Sequence, residues 1–158
     1  LSVDTGAATI AAIGLFNIMG SIAAGWLSAL VPKRFLLAFI YFSRSVAILA
    51  FIMLPPTPTT SIVFGAVIGV LWLSTIPPTS GLVALMFGTR WLAMLFGFAF
   101  FSHQVGGFLG VWLGGVLFER FGSYDVVWWL SIFLGVASAV INLPIVEKPV
   151  VRPATAAA

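Results

Sequence analysis

Four residues carry reactive or hydrogen-bonding groups where the surrounding sequence is almost wholly apolar: Arg44, His103, Asn17 and Tyr41. Arg44 stands near the middle of an apolar run from about 35 to 54, roughly 15 Å from either end at about 1.5 Å per helical residue. A cation at that depth costs on the order of 2.5–3.5 kcal/mol on insertion scales, so such residues face protein or water and often mark a solute path. Two readings are open for it. Its guanidinium can meet an anion bidentately at any physiological pH, or it can be a structural cation held by backbone carbonyls or by a carboxylate of another helix. His103 is the one histidine in the chain; imidazole suits proton or anion binding near neutrality, and a neutral ring can equally bridge two helices. For Asn17, an interhelical amide bond worth about 0.6–2 kcal/mol makes packing the default and solute contact the alternative. Tyr41, one turn before Arg44 on nearly the same face, shares whatever role Arg44 has.

Other chemistries lack their residues. The sequence has no cysteine, which excludes disulfides, thiolate metal sites and cysteine nucleophiles. One histidine cannot supply a bis-histidine haem, and there is no glycine-rich nucleotide loop. No enzyme activity, cofactor or metal is expected.

The elements that position these residues follow from composition. Of the 158 residues 61% are hydrophobic and 7% charged, with a mean hydropathy of +1.19, against roughly 25% charged in soluble domains. Lipid must therefore be the main solvent, and an all-α integral membrane protein is the expected class. The net charge of +3 comes from basic residues placed singly or in pairs at span ends, so it reads as membrane topology and nucleic acid is not an expected partner. Apolar runs predict five spans, at about 5–30, 35–54, 61–80, 92–118 and 126–145. Pro55, Pro56 and Pro58 separate the second from the third, and Pro77-Pro78 predict a kinked or partly unwound end to the third. The bundle should occupy 1–147, with 148–158 a disordered cytoplasmic tail. The chain opens on Leu1 with no basic stretch before the first span, which reads as part of a longer polypeptide whose N-terminal half completes the fold.

At 100° per residue, Ala99, His103, Gly106, Gly107, Gly110 and Gly114 share a stripe of the fourth span opposite Phe101, Val105, Phe108 and Trp112. The small-residue stripe, with His103, is expected to face protein and the bulky face lipid. In the first span Gly14, Asn17, Gly20, Ser21, Ala24 and Ser28 oppose Leu15, Met19, Ile22 and Trp26 in the same way. Lys33, Arg34, Arg90, Lys148 and Arg152 fall on one side of the membrane and Arg120 on the other, so the first side and the C-terminus are read as cytoplasmic.

Gly25-Trp-Leu-Ser-Ala-Leu-Val-Pro-Lys-Arg34 resembles the repeated cytoplasmic loop of the major facilitator superfamily, Gly-x-Leu-small-Asp-Arg-x-Gly followed by two basic residues. Gly25, Leu27, Ser28 and the pair Lys33-Arg34 fit, while Ala29, Leu30 and Pro32 replace its Asp, Arg and Gly. The runs Ile13–Ser21 and His103–Gly115 resemble the eighth and eleventh helices of bacterial members of the monocarboxylate-transporter-like branch, with Asn17 and Ser21 where classical carriers have Asp and Arg. The resemblance implies helices eight to twelve of a twelve-helix fold, with Gly25, Lys33 and Arg34 in a conformational-gating loop. It further implies secondary active transport of a small solute across the cytoplasmic (cell inner) membrane by rocking of two halves. Arg44 favours an organic anion as that solute, with His103, Asn17 and Tyr41 as further binding residues. Five spans alone should not transport. The alternative function is a non-transporting membrane scaffold or receptor of the same fold.

Overall fold

A computed structural model of the chain describes residues 2–150. They form six α-helices: α1 (Val3–Leu30), α2 (Lys33–Met53), α3 (Pro58–Trp72), α4 (Ile76–Phe87), α5 (Leu92–Phe121) and α6 (Asp125–Asn142). A 3-10 turn at Thr89–Trp91 leads into α5. Five spans result, because α3 and α4 together make one interrupted crossing, Pro58–Phe87. Each span is long and apolar enough to cross a hydrocarbon core of about 30 Å, giving the all-α, five-span membrane architecture that the apolar runs predict.

Local chemistry sets the ends. α3 begins with a reciprocal cap in which the Thr60 N–H donates to the Thr57 hydroxyl (3.1 Å) and the Thr57 N–H donates to the Thr60 hydroxyl (2.9 Å), with Pro58 inside the first turn, where its missing N–H costs nothing. Gly88 (φ 80°) stops α4 and Gly122 (φ 68°) stops α5, both in the left-handed half of backbone space that residues with a Cβ avoid.

Helix α1 lies along α3, and α2 lies against α6. The first contact exists because backbones meet: a Cβ on Gly69 would stand 2.6 Å from the Ile13 carbonyl oxygen, and one on Gly20 would run into the Val70 carbonyl. In the second, Ser45 fills the notch at Gly135 and its hydroxyl donates to the Ile132 carbonyl at 3.1 Å. Leu36, Ile40 and Leu71 form a small buried core with Leu27 packed on it. Leu15, Met19, Ile22 and Trp26 are exposed, on the side of α1 turned away from α3.

His103 is exposed overall, although its side of α5 borders Tyr41 and Trp72 across a small cavity. Two expectations are corrected. Gly106, Gly107, Gly110 and Gly114, and Gly14 in α1, have no atom of another helix within 4 Å of where a Cβ would sit. The physical reason is that α5 packs chiefly along α4, so Gly106, Gly107 and Gly110 stay exposed among the described residues, and Gly114 is buried without close backbone approach. The third span also breaks at Leu73–Thr75, before the prolines, and α4 starts with Pro77 and Pro78 in its first turn. Of the expected tail, 148–150 lie close to α4, where the Val150 N–H donates to the Met86 carbonyl at 2.8 Å; 151–158, with Arg152, and Leu1 lie outside the described residues.

Candidate functional site

The break between α3 and α4 is the feature around which the sequence-predicted residues gather. A helix that ends inside a membrane leaves four carbonyls without intrahelical partners, and no bulk water is there to take them. For α3 these belong to Val70, Leu71, Trp72 and Leu73. The Ser74 hydroxyl donates to Val70. Arg44 Nε donates to the Leu71 carbonyl at 3.1 Å, and Arg44 Nη2 donates to both Leu71 and Trp72. The Ile76 N–H takes Leu73 at 3.0 Å. From the other side, the Asn17 side-chain oxygen accepts the Leu73 N–H at 3.2 Å. A mid-membrane arginine is thus placed against the negative end of a helix dipole, worth roughly half a unit charge.

Helix α4 offers a solute little at its own N-terminus. Half-helix N-termini in transporters usually aim free N–H groups at anions. Here Pro77 and Pro78 have no N–H, the Ile76 N–H is held by Leu73 and the Thr79 N–H bonds to the Thr75 carbonyl at 3.1 Å. The first turn of α4 itself therefore offers no free backbone donor.

A cavity of about 110 Å³ opens against the break, walled by Tyr41, Trp72, Thr75, Thr79, Phe100 and His103 among others. Tyr41 and His103, predicted from different spans, meet in it. Phe100 lies beside the imidazole, with ring centroids 6.1 Å apart. Arg44 stands behind Tyr41, its guanidinium carbon 5.4 Å from the phenol ring centre and its fork turned to the carbonyls. Asn17 approaches the break from α1 and does not line the cavity. Thr75 and Thr79 escaped the sequence reading; their signal was the Thr-Ile-Pro-Pro-Thr run, two hydroxyls flanking a helix start. A larger groove of about 570 Å³ between α2 and α3, lined by Phe39, Phe42, Val46, Val63 and Val67, is almost wholly apolar and offers no polar site.

The basic loop residues meet the other end of the chain. Glu147 accepts the Arg34 N–H at 2.7 Å, capping α2, whose N-cap Pro32 has no side-chain acceptor. Arg34 Nη1 donates to the Ile145 carbonyl at 3.1 Å, and the methylene stem of Lys33 lies over Gly81 of α4. Gly25 sits 4.0 Å, measured from a built Cβ, from the Pro77 ring.

The chain is similar to an uncharacterised MFS-type transporter, YcxA, of Bacillus subtilis (strain 168), with 30% identity over 149 residues, covering 88% of this chain and 36% of that protein. It therefore spans about a third of the length of the curated relative it matches. No family profile matches the chain, and no solved structure matches it. The likeness covers most of the chain, and with its five apolar spans the chain fits a five-span part of a major facilitator superfamily transporter.

Proposed function

We propose that the full-length protein is a secondary transporter that moves a small organic anion across the cytoplasmic membrane by alternating access, this chain supplying helices eight to twelve of its C-terminal half. Tyr41, His103, Thr75 and Thr79 border the solute in this reading, Arg44 supplies the field, Asn17 supports the wall from α1, and Gly25, Lys33 and Arg34 belong to a gating loop on the cytoplasmic side with the C-terminus. The lipid bilayer and the remaining N-terminal part of the polypeptide complete the machine. The observation that carries the reading is electrostatic. Arg44 contributes a full positive charge, the end of α3 offsets about half of it, and Asp4, Glu119, Asp125 and Glu147 all lie at span ends. A residual half charge acting over about 7 Å at an effective dielectric of about 20 favours an anion by about 1.2 kcal/mol, roughly sevenfold.

The test is competition in proteoliposomes of the full-length protein, with a panel of mono- and dicarboxylates set against neutral sugars and amines. Carboxylates should compete, Arg44→Lys should keep the preference for them, and Arg44→Gln should lower it by roughly sevenfold. A neutral solute carried equally well by wild type and Arg44→Gln would refute the anionic reading.

A further inference from the structure

We infer that Arg44 and Asn17 are positioning residues that hold the helix break one turn upstream of the prolines, and so keep Thr75 out of the helix and in the wall of the Tyr41–His103 cavity. The inference rests on the transport reading only for its purpose; the geometry stands without it.

Sequence alone puts the break at the prolines. Pro77 cannot donate to Leu73 and its ring crowds the Leu73 carbonyl, as Pro78 crowds that of Ser74, and Pro77 disfavours a helical Ile76; the pair leaves Thr75 free to stay on the α3 ladder. In an uninterrupted helix the Thr75 N–H would take the Leu71 carbonyl and the Ile76 N–H would take that of Trp72. Both acceptors are instead occupied by Arg44 from α2, and the Leu73 N–H, which would return to Gly69, is drawn to Asn17 of α1. Two side chains from two neighbouring helices thus replace three rungs of backbone ladder, one supplying donors and the other an acceptor. Ile76 is then left to turn back on Leu73 in a tight i→i−3 bond. The consequence is positional: Thr75 sits at the N-cap of α4 with Thr79 one turn on, and both reach the cavity. Released, the carbonyls of Leu71 and Trp72 would recapture Thr75 and Ile76, since an unpaired carbonyl is not tolerated in hydrocarbon. The break would then slide to Pro77, rotating Thr75 by about 100° per residue re-registered.

The experiment is a cysteine scan over 71–79 in the full-length protein with any other cysteines replaced, read by N-ethylmaleimide labelling in native membranes. Thr59→Cys in the α2–α3 connection serves as the reference for insertion. In the wild-type background the labelling should show a helical period that stops after Trp72 and restarts at Ile76. With Asn17→Leu or Arg44→Leu the period should run unbroken to Ile76, and rates at 73, 74 and 75 should change by about fivefold, the effect of one hydrogen bond of ordinary net strength. Asn17→Asp keeps the acceptor and should restore the interrupted pattern, which a loss of general packing would not do. An interrupted pattern that survives both leucine substitutions overturns the inference. So does an unbroken period in Asn17→Asp when that variant inserts normally by the Thr59→Cys reference. Labelling does not depend on transport, so the anion preference can fail while the positioning role holds, and the reverse.

Discussion

Gly69→Ala tests the contact between α1 and α3 with a single added methyl group. A Cβ at this position would lie 2.6 Å from the Ile13 carbonyl oxygen and 2.9 Å from its Cα. Ordinary contact begins near 3.4 Å, so the two helices must part by about 0.8 Å at this level, and the obstacle is backbone that cannot rotate away. A gap of 0.5–1 Å forfeits roughly a quarter to a half of the dispersion energy of each contact it opens, and overpacking of this kind costs about 1–3 kcal/mol. In a membrane no hydrophobic term compensates, because lipid tails are as apolar as the helices. Gly14→Ala in α1 is the control, with open space around its added carbon. Thermal unfolding of the full-length protein in detergent should show a clear loss for Gly69→Ala and none for Gly14→Ala. Equal melting of the two variants would refute close backbone approach as the basis of this interface.

Two further outcomes follow from the ends of the bundle. A membrane-impermeant maleimide applied to intact cells should label Thr59→Cys and leave Val31→Cys unlabelled, as the excess of basic residues beside the Lys33–Arg34 loop predicts; the opposite pattern would invert the proposed topology. Glu147→Ala should lower thermal stability by about 0.5–2 kcal/mol through loss of the cap on α2, whereas Glu147→Gln, which keeps an oxygen acceptor for the Arg34 N–H, should lose less. Indistinguishable melting of the two would remove the cap from the account.

The spans were legible because length and hydropathy are local quantities, and a bilayer demands little else of them. The break was not, because its position depends on Arg44 and Asn17, which lie 27 and 56 residues away from their partners. The prolines announced an interruption, and two long-range hydrogen-bonding groups decided where it fell. Small-residue spacing was informative in a limited way. Gly65 and Gly69 stand four residues apart and do meet α1, while Gly106 and Gly110 stand at the same interval and are exposed, with no other atom near a Cβ there. The interval marks a face fit for close approach but says nothing of which helix arrives there. Tyr41 and His103 were each visible as polar groups in apolar runs. Their meeting in one cavity required α4 to lie between α2 and α5, a tertiary fact with no local signature.

The bond from Arg44 to the Leu71 carbonyl also imposes an order of events during synthesis. The acceptor emerges from the ribosome 27 residues after the donor, about 1–5 s later at about 5–20 residues per second. An α2 that enters the membrane in that interval does so before its arginine can meet these carbonyls, at on the order of 2.5–3.5 kcal/mol, against which stands the apolarity of the span as a whole, with a mean hydropathy of 2.1. Weakening that apolarity, even at residues far from the cavity, would make α2 wait at the interface until α3 follows. The Arg44 bonds to Leu71 and Trp72 therefore cannot form until translation has passed residue 72.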